Sequence, residues 1–199
     1  MTNNQKFSFT EETLSLNHWL YGNLVLHRIK AECDIPRLGI KRGDLGGFIH
    51  TEQHLSVSGD AWVSGNAKVY GNAWVYGNAE VSGNAKVSGD AKVSGNAWVY
   101  GNAEVYGNAK VSGDAKVSGN AKVSGDAKVS NTKDYLVIGP VGSNRFITFT
   151  FSDQKVVAGC FRGSLVELQS RVKEKYGDVS DYYQTIKFLE IIVEEKTNK

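Results

Sequence analysis

Residues 57–128 read VSGDAW VSGNAK VYGNAW VYGNAE VSGNAK VSGDAK VSGNAW VYGNAE VYGNAK VSGDAK VSGNAK VSGDAK, which is 12 hexads without an insertion. A fixed short period of this kind indicates a solenoid, in which each repeat packs only against its neighbours. Ala and Val alternate with two variable positions, as in Ala61-Trp62-Val63-Ser64, so Ala and Val are predicted to point inward from a strand. Gly and then Asn or Asp follow, and these residues tolerate the positive φ of a tight corner.

The unit V-S-G-N-A-K resembles the hexapeptide repeat of left-handed parallel β-helices, with an aliphatic first residue and a small fifth residue. The resemblance implies three hexads in each coil, or about 18 residues. The aspartates agree with this spacing, because a coil of 12 residues would stack Asp114 on Asp126. At 18 residues, one corner becomes a column of asparagines whose amides can hydrogen-bond from coil to coil: Asn66, Asn84, Asn102 and Asn120.

Two less regular hexads, beginning at Leu45 and Thr51, precede the regular ones and keep inward-type residues at their first and fifth places. The solenoid is therefore expected to span residues 45–132 in about five coils. The ends of a solenoid expose unpaired strand edges, so caps are needed. Residues 1–44 are predicted to form an N-terminal β-hairpin cap, with strands near 13–20 and 24–33 and a loosely held start at 1–12.

Residues 133–199 form a different kind of sequence, predicted to be a small β-β-β-α-α module. Ser164-Leu165-Val166-Glu167 is a capping-box signature that begins a first helix, and Ser180-Asp181 begins a second. The three predicted strands are Tyr135–Ile138, Phe146–Phe151 and Lys155–Phe161. The predicted fold class is thus mainly β: a left-handed parallel β-helix with an N-terminal β cap and a small C-terminal α+β module.

The chain contains GDLGGFI, then the V-Y-G-N-A repeat and then GCFRGS. In this order of motifs it resembles proteins of phages and prophages that are often labelled hexapeptide-repeat transferases. The resemblance covers nearly the whole chain and implies the fold, whereas such a label says little about activity. The net charge of +2 is too small to imply a nucleic-acid or membrane partner by itself, although nucleic acid is not excluded. Two distant cysteines, the polar start and the lack of a long apolar run predict a cytoplasmic protein of the host cell.

Few residues are candidates for catalysis or for metal binding. Hexapeptide acyltransferases, which the repeat resembles, are typically trimers with a catalytic histidine between neighbouring prisms, but the regular hexads contain none. His50 and His54 flank Glu52 as H-x-E-x-H, which favours a polar cap over a metal site. Cys160 lies beside Arg162 before a predicted helix, a setting that favours a thiolate or a bound anion, but a buried strand cysteine is the preferred interpretation. We therefore expect no catalytic residue, no metal and no cofactor.

Stacking at 18 residues sorts the outward positions into three faces. The first face carries Trp74, Lys92, Lys110 and Lys128 with Tyr76; the second carries Trp62, Glu80, Trp98 and Lys116 with Tyr100; the third carries Lys68, Lys86, Glu104 and Lys122 with Tyr70 and Tyr106. Exposed aromatic side chains at this density predict a protein interface. Its predicted residues are Trp62, Trp74, Tyr76, Trp98, Tyr100, Tyr70 and Tyr106.

Self-association into a dimer or trimer is the favoured form of this interface. The alternatives are that the aromatic side chains pack against the caps, or that the N-terminal hairpin, with Trp19, folds over the second face. Lysines on the first face, together with Arg162, are candidates for anion binding: Lys92, Lys110 and Lys128. The alternative is a solvated face that discourages aggregation.

These observations predict a non-enzymatic β-solenoid binding protein. The resemblance to phage and prophage proteins implies that it is of that type and that it recognises or inhibits a host protein, such as a defence component. Two alternatives remain open. One is a hexapeptide-repeat acyltransferase, and the other is the capture of a small anionic ligand, such as a nucleotide, between protomers.

Overall fold

The computed structural model describes residues 6–141 and 145–197. The chain divides after Thr132 into two compact units. The first unit contains a parallel β-solenoid of about five coils with N-terminal strands paired to it, and the second contains an antiparallel sheet and two helices. The predicted fold class is confirmed, because the structure is mainly β and contains the parallel solenoid, the N-terminal strands and the C-terminal sheet with its helices.

The first unit begins with a long antiparallel hairpin, β1 (Phe7–His18) and β2 (Gly22–Ala31). The next strand, β3 (Leu45–Ile49), pairs with β2 on one side and with the first solenoid strand of the third face on the other. The expectation of a loosely held start is wrong for residues 7–12. Phe7 pairs with Ala31 across the hairpin and is buried, so the apolar side chain fixes the strand from its first residue.

Each regular hexad contributes one two-residue strand, made of the outward residue before Val and the Val itself. These strands are β4 (Trp62–Val63), β5 (Lys68–Val69), β6 (Trp74–Val75), β7 (Glu80–Val81), β8 (Lys86–Val87), β9 (Lys92–Val93), β10 (Trp98–Val99), β11 (Glu104–Val105), β12 (Lys110–Val111), β13 (Lys116–Val117), β14 (Lys122–Val123) and β15 (Lys128–Val129). They form three parallel sheets, β3-β5-β8-β11-β14, β4-β7-β10-β13 and β6-β9-β12-β15.

The coil length is 18 residues, as the corner side chains show. Asn66 donates to Asn84, Asn84 to Asn102 and Asn102 to Asn120, each across 18 residues and at 3.3–3.5 Å. The predicted asparagine column is therefore confirmed. The Ala and Val side chains of the strands and corners are buried, so the interior consists of small apolar groups and the backbone ladders between coils add to its stability.

The first coil has a different register from the one predicted. Ile49 and Leu55 are buried, as predicted for the fifth places of the two irregular hexads, but Ile49 pairs with Val69 and Leu55 bridges to Val75, which are first places of regular hexads. Leu45 is 57% exposed and Val57 is 63% exposed, although both were predicted to point inward. The register change is taken up by the bends between Leu55 and the first regular strand, and it buries the larger Ile and Leu side chains.

Over its described residues, the second unit has four antiparallel strands, where three were predicted. They are β16 (Tyr135–Val141), β17 (Arg145–Thr150), β18 (Lys155–Ala158) and β19 (Phe161–Gly163), followed by α1 (Leu165–Tyr176) and α2 (Asp181–Thr197). The predicted third strand is divided by a turn at Gly159 and Cys160, which exposes the Cys160 side chain, so its interpretation as a buried cysteine is wrong. The capping box at Ser164 and Glu167 is confirmed, since each side chain accepts the other residue's backbone N–H.

The core of the second unit lies between this sheet and the two helices, and its largest members include Ile147, Phe149, Leu168, Ile186 and Leu189. Neither helix, over the residues described, is both long enough and apolar enough to span a bilayer.

Candidate functional site

Two of the aromatic residues predicted to form a surface are inside the first unit. Trp62 is 1% exposed and Tyr70 is buried, so their prediction as surface residues is wrong. Arg37, in the segment before β3, reaches the corner that precedes β4 and donates to the carboxylate of Asp60 and to the carbonyl of Asn78. A cap covers the outward side chains next to it, and the repeat pattern does not show which side chains a cap covers.

The other aromatic residues on the first and second faces pair with each other along the strand. Trp74 stacks on Tyr76 at 4.2 Å and Trp98 lies 4.3 Å from Tyr100, measured between ring centroids. The Trp98 indole N–H donates to Ser82 Oγ at 2.9 Å. Trp74 is 40% exposed and is the more accessible of the two tryptophans.

The lysines proposed for anion binding are exposed in a column on the first face. Arg162, the fourth candidate, belongs to the second unit and forms an ion pair with Asp153 at 2.8 Å. Its guanidinium therefore already has a carboxylate partner.

His50 and His54 lie close together, with ring centroids 5.9 Å apart. The His54 ring is buried, and its Nδ1 lies 2.7 Å from the carbonyl oxygen of Ala73, so Nδ1 donates its proton there. Burial lowers the pKa of His54, the hydrogen bond to the Ala73 carbonyl partly opposes this, and the neighbouring His50 lowers the pKa further. Across residues 6–141 and 145–197, no group of three or more His, Cys, Asp or Glu side chains is placed to hold a metal ion.

The tip of the β1–β2 hairpin and the third face enclose a cleft of about 570 Å³, which we call the hairpin cleft. The hairpin is held there by a small core in which Leu24 and Leu26 of β2 pack with Phe48 and Tyr70. The alternative that the hairpin with Trp19 covers the second face is therefore wrong. The pairing of β2 with β3 continues the sheet of the third face and brings the tip to that side.

Aromatic rings form one wall of the hairpin cleft. His18, Tyr21 and Tyr70 pack together, with His18 4.9 Å from Tyr21 and 5.5 Å from Tyr70 between ring centroids. Trp19 stacks at 6.0 Å on His18 and is nevertheless 89% exposed. Tyr106, from the solenoid, also lines the cleft and is half-buried.

Charged side chains of the third face also line the hairpin cleft. Glu104 forms ion pairs with Lys86 at 3.3 Å and with Lys122 at 3.0 Å. Burial favours the protonated Glu104, but the two ammonium groups outweigh it and lower the pKa of the carboxyl. Lys68 differs, because within the described part of the chain it has no carboxylate at ion-pair distance, and its Nζ is 3.5 Å from the Asn66 carbonyl. Burial, and then repulsion by Lys86, lowers the pKa of Lys68.

Sequence reasoning assigned Tyr70 and Tyr106 to an interface and placed Lys68 and Lys86 on the third face, but it did not join them into a site. It missed His18, Trp19 and Tyr21 as site residues. The available signal was the segment HWLYGN, which sets three aromatic or imidazole rings within four residues of a hairpin turn.

No protein-family model matches the chain, and no curated protein is significantly similar to it. The function is therefore inferred from the chemistry of the hairpin cleft itself.

Proposed function

We propose that this protein is a non-enzymatic binding protein that takes a small ligand into the hairpin cleft. The observation that supports this proposal is the cleft's combination of an aromatic wall with lysine side chains. Its volume of about 570 Å³ lies within the range of small-molecule sites, roughly 300 to 1,000 Å³. Such sites are largely apolar, with a few polar groups that orient the ligand.

The hydrogen bonding and packing of the His18 ring argue for ligand binding and against general-base catalysis. The backbone N–H of Leu20 donates to His18 Nδ1 at 3.2 Å, so the lone pair of this nitrogen is already engaged. A general base needs a free lone pair facing the substrate. The imidazole instead supports the turn and packs among the rings of the wall.

A screen with matched variants tests this proposal. The full chain is heated with a broad panel of sugars, amino acids, acyl coenzymes and nucleotides, and a ligand at 100 times its Kd is expected to stabilise the protein by about 2.7 kcal/mol. Tyr106→Ala removes a ring from the cleft and should abolish the shift. Tyr100→Ala removes a ring from the second face and should leave the shift intact.

Mass spectrometry of the recovered ligand completes the test. An unchanged ligand agrees with a binding function. Conversion of the ligand, or stabilisation that Tyr106→Ala leaves intact, would contradict the proposal.

A second candidate function is a protein interface on the first face, favoured by the exposed Trp74 ring and its stacking on Tyr76. Joining copies of the chain into a dimer or trimer would remove this ring from water. The resemblance to phage and prophage proteins favours a host protein as the partner if the chain does not self-associate.

Trp74→Lys is expected to lower the solution mass measured by light scattering at micromolar concentration, with an unchanged circular-dichroism spectrum. Lys116→Ala, an exposed lysine on the second face, is the control and should leave the mass unchanged. If the wild-type chain is strictly monomeric, self-association is excluded and the surface is assigned to a different protein.

A further inference from the structure

We infer that the ligand of the hairpin cleft joins a flat aromatic or heteroaromatic ring to an anionic group, such as a phosphate or a carboxylate. This inference rests on the proposed binding function and narrows its ligand to one chemical class. It comes from two different kinds of side chain that line the same cavity.

The ring is recognised by the aromatic wall. Trp19 lies at the mouth of the cleft, and most of its indole surface faces solvent although His18 stacks near it. Tyr106 offers a second, partly exposed ring from the solenoid. Aromatic side chains prefer offset stacks or edge contacts with other rings, and an exposed indole is the best such surface in a protein. A flat ligand ring can therefore stack without any rearrangement of the packed rings His18, Tyr21 and Tyr70.

The anion is recognised by the charges of the third face. Lys68, Lys86 and Glu104 of this face line the cavity. Glu104 already lies between Lys86 and Lys122, so Lys68 is the group whose charge is least compensated. The Lys68 ammonium group is partly removed from water and is repelled by Lys86, and an anion bound beside it would offset both effects.

A further carboxylate in the cleft limits the ligands that fit. Asp90 lines the cavity and accepts a hydrogen bond from Asn72 at 2.9 Å. It disfavours an anion at its own end and provides an acceptor for an N–H or O–H group of the ligand. The favoured ligand therefore has its negative charge at one end and hydrogen-bond donors on or near the ring.

Two pairs of probes separate the ring from the charge: adenosine monophosphate with adenosine, and indole-3-acetate with indole. Binding to the full chain is measured by titration calorimetry, with inorganic phosphate as a probe of the anion alone. In at least one pair, the anionic member is expected to bind at least about tenfold more tightly than the neutral member. Inorganic phosphate alone is expected to bind more weakly than that anionic member.

Two variants assign this preference to the cleft. Lys68→Met is expected to bring the affinity ratio of the anionic to the neutral member close to one, with little change for the neutral member. Trp19→Ala is expected to weaken both members. Lys116→Met and Tyr100→Ala, both on the second face, are the controls and should leave the affinities unchanged, and circular-dichroism melting verifies that each variant is folded.

The outcomes distinguish this inference from the broader proposal. Equal affinity for both members of each pair, or an anion preference that survives Lys68→Met, would overturn the inference. The broader proposal of a binding function would still stand if the broad screen finds a ligand whose binding depends on Tyr106. If none of the anionic ring compounds binds, the inference is wrong. If inorganic phosphate binds as tightly as the ring compounds, the ring has no role and the inference is also wrong.

Discussion

Val93→Asp is expected to prevent the solenoid from folding, whereas Lys92→Asp, in the same two-residue strand, is expected to fold normally. Val93 is fully buried between Val75 and Val111 in the interior column of its sheet. A carboxylate there would have no cation and no water, and an unpaired buried charge costs about 3 to 5 kcal/mol. This is comparable with the total stability of many domains, about 5 to 15 kcal/mol.

Lys92 is a close control because its side chain is exposed and its backbone has the same extended conformation. The Lys92→Asp variant carries the same new side chain one residue away, and surface substitutions usually change stability by less than about 0.5 kcal/mol. Circular dichroism during thermal unfolding measures both variants. A soluble Val93→Asp protein that melts cooperatively near the wild-type temperature would show that Val93 does not point inward.

Gly95→Ala is expected to destabilise the protein by about 1 to 3 kcal/mol more than Gly119→Ala. Both glycines are corner residues with positive φ, +67° and +64°. Both substitutions therefore carry the cost of a left-handed backbone for an L-residue, roughly 1 to 2 kcal/mol. They differ only in the coil that lies next to them.

A Cβ atom on Gly95 would lie 2.8 Å from the backbone nitrogen of Gly113 and 3.0 Å from its oxygen. That backbone cannot easily move, because the Gly113 oxygen accepts the backbone N–H of Asn96 at 2.8 Å. A Cβ on Gly119 meets no atom within 4 Å among the described residues. Urea unfolding of the two variants measures the difference, and equal losses of stability would contradict such close stacking of the coils.

Local signals were enough to predict most of the fold. The Ala and Val alternation and the Gly-Asn corners predicted short strands joined by tight corners. The resemblance to left-handed parallel β-helices implied an 18-residue coil, with which the spacing of the aspartates agreed, and the side-chain hydrogen bonds confirm that coil length. The capping box at Ser164 predicted the beginning of α1 correctly. Each of these features depends on residues close in sequence or on an unbroken period, and so a single chain can reveal it.

Features that depend on packing between distant segments were predicted less well. Ile49 and Leu55 are buried as predicted, but Leu45 and Val57, which were also predicted to point inward, are exposed because the strand register of the first coil differs from that of the regular hexads. The exposed turn at Cys160 divides a segment whose apolar residues suggested one strand. In both cases the local sequence pattern is compatible with two strand arrangements, and contacts with other segments of the chain select one of them.

The sequence by itself determined the solenoid, because inward Ala and Val and a glycine at every corner satisfy the backbone in only one repeating way. It also placed the lysines and Glu104 in one column of the third face. Only the tertiary structure decided that the hairpin tip lies against that column, that Trp62 is buried while Trp19 is exposed, and that Lys68 shares a cleft with Tyr106. The physical reason is that outward positions are not constrained by the repeat. Their environment depends on which remote apolar side chains, here Leu24 and Leu26, pack against the surface.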